Sequence, residues 1–448
     1  MAVEWRTATV KQLVDEGVLE RPMDGNHGEI HPKTSDFVDR GIPFIMASDL
    51  ANGRVDTKNC TFIDEQQARS LRKGFALRGD VLISHKATMG RTAIVGELDV
   101  PFLILTPQVT YYRVKDSKRL SNRYLKLYFD SHDFQSLFET WGQKGSTRAY
   151  LGITAQLELP ILLPPMEEQG AIAHILGTLD DKIQLNQQMN ETLEAMVRVL
   201  FKSWFVDFAP VRTKAEGRDP ELPQHLAELF PDSFEQSALG EIPKGWQHTP
   251  VYDIATYVNG AAYATFQPKS DRKGLPIIKI AELKAGVTSQ TRFSNVDMPE
   301  KFRIGTGDIL FSWSGNPDTS IDTFVWPHGP AWLNQHIFRV LPRGPNEGPF
   351  ILSTLKFLKP IFAEIARNKQ TTGLGHVTVD DLKRLLVARP DDRLIQAWNQ
   401  IAGPLFDRGF RNLLENRDLE ALRDTLLPKL ISGELRIENA ERFIGGGN

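Results

Sequence analysis

A single cysteine, Cys60, in 448 residues leaves no partner for an internal disulfide and no set of thiolates for a metal cluster, and such sparse usage suits a reducing compartment. Apolar runs of about 18 or more residues, the length that crosses a bilayer, are missing. The opening, MAVEWRTATVKQ, lacks the apolar stretch of a secretory signal. A cytoplasmic protein without a membrane partner is therefore expected. Excess positive charge is lacking too: 53 Lys+Arg against 56 Asp+Glu give a formal net charge of -3. Proteins that grip nucleic acid alone are often basic, so any such contact here has to come from local patches. What remains is ordinary globular material, 41% hydrophobic, long enough for two or three domains with their own cores.

Catalytic machinery is equally scarce. There is no GxxxxGK[ST] phosphate cradle, no glycine-rich strand-to-helix turn for S-adenosylmethionine and no Asn-Pro-Pro-aromatic tetrapeptide. His27-Gly28-Glu29-Ile30-His31 places two histidines around a carboxylate, but it lies in the turn-rich DGNHGEIHPK and does not match HExxH, so it reads as a loop. Glu282-Leu283-Lys284 has the ExK pattern of a Mg-dependent nuclease core; the matching place in the first half is Asp49-Leu50-Ala51, and a tripeptide arises readily by chance. No Ser/His/Asp or Cys/His set can be assembled. No catalytic residue and no metal site are assigned.

The chain is written twice, at an offset of roughly 225 to 240 residues, the period of a domain pair rather than a solenoid. After an opening Trp5 or Trp246, GIPFIMASDL from Gly41 answers GLPIIKIAEL from Gly274. RGDVLIS from Arg78 answers TGDILFS from Thr306, and QVTYYRV from Gln108 answers QHIFRV from Gln335. The long segment from Lys144 answers that from Lys369, and NETLEAMVRVLF from Asn190 answers NRDLEALRDTLL from Asn416. Short β-rich runs between Gly, Pro and Asn turns, with some helix, predict a mixed α/β (α+β) unit in each half.

A long helix follows each unit. The first is expected over 166–208, after Pro164-Pro165, with a seam of Ile172, Leu176, Leu179, Ile183, Asn186, Asn190, Leu193, Val197, Leu200 and Trp204 at spacings of four and three. About 40 residues at 1.5 Å each make a rod of roughly 60 Å. The second, within 391–436, repeats the seam through Trp398, Leu405, Asn412, Asn416, Leu419, Leu426 and Leu430. One reading packs each helix on its own domain; the seam is long for that, and the expected arrangement is an antiparallel coiled-coil pair separating two similar globular domains. The seam amides either fix register from a buried position or face solvent where the helices splay. The expected organisation is 1–165 and 246–390 for the domains, 209–245 for a Pro- and acid-rich linker with one short helix, and 437–448 for a tail.

Polar loops recur at matching places. His85, Lys86, Thr88 and Arg91 follow one apolar strand; Trp313, Ser314 and Asn316 follow its counterpart. Gln143, Lys144, Ser146, Thr147 and Arg148 match Lys369, Gln370, Thr371 and Thr372, each loop with a Gly that permits close backbone approach. Lys and Arg suit guanine, Asn and Gln suit adenine, and Ser or Thr suit either base or phosphate. Most polar loops are plain surface turns, but the repetition makes these the candidate DNA contacts.

The stretch from Leu163 to Gly217, LPPMEEQGAIAHILGTLDDKIQLNQQMNETLEAMVRVLFKSWFVDFAPVRTKAEG, resembles the central region of type I restriction-modification specificity subunits. LFPDSFEQSALGEIPKGW resembles the entry to their second target-recognition domain, and LRDTLLPKLISGELRI their distal helix, so the likeness covers essentially the whole chain. The resemblance implies two target-recognition domains that read the halves of a split asymmetric site in double-stranded DNA, with two helices as a ruler for the spacer. It also implies two methyltransferase subunits carrying S-adenosylmethionine and two restriction (motor-nuclease) subunits using ATP and Mg, in an anti-phage system; this chain binds no cofactor and is not itself an enzyme. The rival expectations are an assembly scaffold that no longer reads DNA, or a nuclease or methyltransferase with an unrecognised site.

Overall fold

Apolar runs of three or four residues bounded by turns form the innermost strands of each half, buried on both faces. The computed structural model describes residues 5–143, 149–238, 240–344, 347–370 and 374–437. The chain divides into two compact units, the first running to Lys182 and resuming at Asp418, the second comprising Ile183–Arg417.

In the first unit a six-stranded sheet has the order Met23–Asp24, Val109–Tyr112, Val81–Ser84, Thr92–Ile94, Gly53–Val55, Leu50–Ala51. A five-stranded sheet has the order Phe37–Val38, Thr61–Ile63, Ile42–Ile45, Leu103–Leu105, Phe75–Ala76. Side chains alternate along Val81–Ser84, so one strand serves two cores. Leu82 joins Ile45, Leu103 and Leu105, whereas Val81 and Ile83 join Leu125, Phe129 and Phe134 of the helices Asn122–Asp130 and His132–Gly142. An antiparallel pair, Arg6–Thr9 with Pro160–Leu163, brings the first and last strands together.

The second unit repeats this skeleton. One sheet has the order Thr256–Asn259, Ile337–Leu341, Ile309–Ser312, Asp322–Val325, the other Phe293–Ser294, Leu275–Ile278, Ala331–Leu333, Arg303–Ile304. Leu310 joins Ile278, Trp326 and Leu333; Ile309 and Phe311 join Ile351, Leu355 and Phe362 of the helices Gly348–Phe357 and Lys359–Asn368. One parallel pairing recurs at the same place in both modules, Ile42–Ile45 with Leu103–Leu105 and Leu275–Ile278 with Ala331–Leu333. Gln247–Pro250 pairs with Leu386–Arg389 as the closing strands. Even the turns match. Asp80 accepts from the Leu77 N–H at 2.8 Å and from Arg113 at 2.8 and 2.9 Å, while Asp308 accepts from the Gly305 N–H at 2.7 Å and from Arg339 at 3.0 Å.

The long helices are Met166–Phe205 and Asp392–Ser432. The first stops short of the expected residue 208 because Phe208 adopts φ +53°, a left-handed conformation that a helix does not continue through; Pro210 then sits in the first turn of the helix Ala209–Ala215, where its missing N–H costs nothing. In the first unit Ile172 and Leu176 share a core with Leu430 and Ile431, with Leu179 and Leu426 half-buried against it, and Asp180 accepts from Arg423 at 3.1 Å; Leu419 is half-buried. In the second unit the Asn186 amide donates to Glu415 at 2.8 Å and to Asn416 Oδ1 at 2.9 Å, and Asn416 donates to the Ile183 carbonyl at 3.2 Å. Four residues further along the first helix, Asn190 accepts from Asn412 at 2.8 Å and donates to the Gly409 carbonyl at 3.2 Å. Position rises on one helix as it falls on the other, so the pair is antiparallel. Asn186, Asn412 and Asn416 are buried between the helices and do not face solvent. Leu193, Leu200 and Leu405 are half-buried along the same seam.

The segment 209–245 holds more than the one short helix expected of it. Ala209–Ala215 and Gln224–Ala227 are helical, and Phe234–Ser237 pairs with Gly240–Pro243. Phe208, Val211, Phe230 and Ile242 bury with Trp204, Trp246 and Trp398 in one apolar cluster, and that burial orders a stretch whose composition reads as linker.

Candidate nucleic-acid interface

Loop positions in the two modules correspond through strand register. Val109 pairs with Ser84 and Ile337 with Ser312, so His85 and Trp313, the next residues, are equivalent. In both modules the chain that follows the second expected loop, 149–151 in one and 375–377 in the other, meets the first loop. Leu151 N–H donates to the His85 carbonyl at 3.0 Å and Ala87 N–H to the Ala149 carbonyl at 3.1 Å; Val377 N–H donates to the Trp313 carbonyl at 2.8 Å. Lys86 bridges Tyr150 and Ser314–Gly315 pairs with Gly375–His376.

The floor beneath each loop pair is the carboxyl end of the parallel strand pair, approached by a glycine with no room for a side chain. A Cβ on Gly25 would lie 1.8 Å from the Leu105 carbonyl oxygen, and one on Gly260 would lie 2.2 Å from that of Asn334. These glycines follow Asp24 and Asn259, which pair with Thr110 and Phe338 and thus hold equivalent places. Each faces the ring from the first loop: Trp313 Nε1–H donates to Asn259 Oδ1 at 3.2 Å, whereas His85 Nε2 stands 4.0 Å from Asp24 Oδ2.

In the first module Lys86, Thr88 and Arg91 are exposed, with Arg91 donating to the Ala47 carbonyl at 3.3 Å, and Gln143 is exposed at the end of its helix. His85 is not a surface contact. Its side chain is 0% exposed, Nδ1 is 3.0 Å from the Leu151 carbonyl, and burial pushes its pKa below the ordinary histidine value. Asp24 is buried beneath it. Burial raises its pKa, but Lys73 and His27, the latter at 2.8 Å, outweigh that and leave it below the usual carboxylate value. Lys144, Ser146, Thr147 and Arg148 lie outside the described residues, as do Thr371 and Thr372.

In the second module Trp313 is half-buried, with ring centroids 5.5 Å from His336 and 6.0 Å from His376. Ser314 is buried, its hydroxyl 2.9 Å from His376 Nδ1. Asn316 is exposed, but its Oδ1 accepts from the Asp318 and Thr319 N–H groups at 3.0 and 3.1 Å, which occupies the acceptor an adenine contact needs. Lys369 is held by Asp381 at 2.5 and 2.6 Å, and Gln370 is exposed. Sequence reasoning missed Asp24, Tyr150, Asn259, His336 and His376, which the strand ends and second loops bring to these places. His27 appeared only in a rejected metal motif and was in fact a neighbour of the loop. Glu282 is spent on capping its own helix, accepting from Lys279 N–H at 3.0 Å and from Thr291 at 3.3 Å. Among the described residues no group of three or more His, Cys, Asp or Glu could hold a metal ion, and no helix is long and apolar enough to cross a membrane.

A family model described as the type I restriction modification DNA specificity domain matches residues 26–195. The chain is similar to the type I restriction enzyme MjaIX specificity subunit of Methanocaldococcus jannaschii, 25% identical over 413 residues that cover 91% of this chain and 89% of that protein. It is also similar to the HindI specificity subunit of Haemophilus influenzae, 23% identical over 450 residues that cover 88% and 94%. Among solved structures, the type I restriction-modification S subunit from M. genitalium shares the fold, with a TM-score of 0.53 at 14% identity over 96% of each chain. Over nearly its whole length the chain is thus similar in sequence to specificity subunits of type I restriction-modification systems, and it shares the fold of one of them.

Proposed function

We propose that this chain is the non-catalytic reader of a type I complex, in which each module recognises one half of a split, asymmetric site in double-stranded DNA. The length of the paired helices sets the unspecified spacer. Two methyltransferase subunits carrying S-adenosylmethionine dock on this chain, and two restriction subunits using ATP and Mg complete the cutting assembly. One observation carries the reading: the same strand skeleton ends in loops of different residues, His85 and Lys86 in one module, Trp313 and Ser314 in the other. A shared scaffold with different polar tips is what two unlike half-sites require, because base edges are told apart by side-chain donors and acceptors.

Methylome sequencing of cells carrying this chain with its methyltransferase tests the reading and defines the target. Methylation at a split motif with unlike halves is expected; methylation without a motif refutes it. Adding one turn to both helices should lengthen the spacer and leave each half unchanged, and an unaltered spacer refutes the ruler.

A further inference from the structure

We infer that His85 is a positioning residue whose protonation closes the loop of the first module onto Asp24, making recognition of one half-site, and not the other, dependent on pH. This rests on the reading that the loop pairs face DNA.

His85 Nδ1 lies 3.0 Å from the Leu151 carbonyl, which can only accept, so Nδ1 carries the hydrogen. In the neutral ring Nε2 is then a bare lone pair. It is buried without a hydrogen-bond partner and faces the Asp24 carboxylate, another acceptor, across 4.0 Å. Two acceptors hold apart; a proton on Nε2 turns the pair into a charge-assisted donor and acceptor.

The second module shows the closed form of the same contact. Trp313 occupies the place of His85 and Asn259 that of Asp24, and the indole N–H, a donor at every pH, is bonded at 3.2 Å. The contact lies beneath the loop that carries Lys86 and Thr88, and the His85 main chain holds that loop to the second one through Leu151. Closing it shifts that loop together with the chain at Leu151.

The groups around His85 are few. Asp24 faces Nε2 from the strand end, and His27 and Lys73 already bond that carboxylate. Lys86 on its own loop opposes a proton on the ring, and the Tyr150 ring lies 5.6 Å away on the second loop. Bound DNA adds negative charge near the loop, which favours the protonated ring, so binding takes up a proton.

The test uses the full chain with its methyltransferase partner and three duplexes: the mapped target, and the target scrambled in either half. The affinity ratio of intact to scrambled duplex is measured from about pH 8 to pH 6. For the half read by the first module, the ratio should rise as pH falls, by up to about tenfold per pH unit, the limit for one proton. For the other half it should stay flat. His85→Gln should flatten the first profile, Asp24→Asn should do the same by supplying an amide donor to Nε2, and His27→Gln should leave it in place. Thermal melting of each variant checks folding, and the second half-site serves as an internal control within the same molecule. Flat or parallel profiles for the two halves in the parent overturn the inference, as does a profile that follows His27. Absence of sequence-specific binding at every pH refutes the DNA-reading function itself.

Discussion

At the scale of single residues, burial decides which groups react and which titrate. Cys60 is buried and its thiol is pushed up to about 11, by burial first and by Asp49 and Asp56 after it. The thiolate is the nucleophile, so the native protein should resist alkylation by iodoacetamide at pH 8 and react within minutes once unfolded in urea; equal rates would contradict the burial. His85, His328 and His336 are all held below the ordinary histidine value, chiefly by burial. The unfolded chain then binds more protons than the folded one as pH falls through the ordinary histidine value of about 6.5. Stability is therefore complete above that range and declines below it. The denaturation midpoint in urea should drop between about pH 7.5 and pH 5.5, and replacing His85 with Gln should remove part of that slope. The depressed titration of the free His85 also leaves room for the proton uptake that DNA binding is expected to cause.

At the scale of elements, the helix pair is specified by apolar burial at its ends and by amides along its middle. Removing one amide leaves its partner buried and unsatisfied, so Asn186→Ala and Asn416→Ala should each cost about 1–3 kcal/mol. The double variant should cost less than the two together, with a coupling of about 0.5–3 kcal/mol, measured by urea denaturation; simple additivity would mean the amides do not act on each other. Truncation of Trp398, which is fully buried against Phe201, Trp204 and Phe205, should cost about 3–5 kcal/mol. These helices were legible in the chain because spacings of four and three persisted over many turns, and the amides stood out as polar residues on an apolar stripe. The hairpin at Phe234–Pro243 was not legible, since Pro and acidic residues mask a few aromatics whose burial depends on partners distant in sequence. The sites were half legible. Repetition located the strand-end loops, but Gln108 aligned in sequence with Gln335, whereas strand pairing sets it against His336. The correspondence of Asp24 with Asn259 shows only through strand pairing, and residue type alone placed buried His85 on the surface.

At the scale of the whole molecule, each module begins and ends on one antiparallel strand pair, so the chain enters and leaves at a common edge. Exchanging residues 246–390 for the matching stretch of another specificity subunit should give a soluble protein whose methylation target changes in one half only; a change in both halves would show that the modules do not read independently. Replacing Lys86 or Arg91 with Ala should weaken binding of the parent target, measured by mobility shift, and variants that bind like the parent would take that loop out of the interface.

The interlocked amides of Asn186, Asn190, Asn412 and Asn416 also constrain how such a protein diversifies. A codon gained in the gene segment for one helix alone slides carboxamide past leucine and strands polar groups in oil. Viable length variants should therefore arise as matched, same-sized changes in two distant stretches of the gene, so spans between half-sites should jump between a few permitted values instead of drifting base by base.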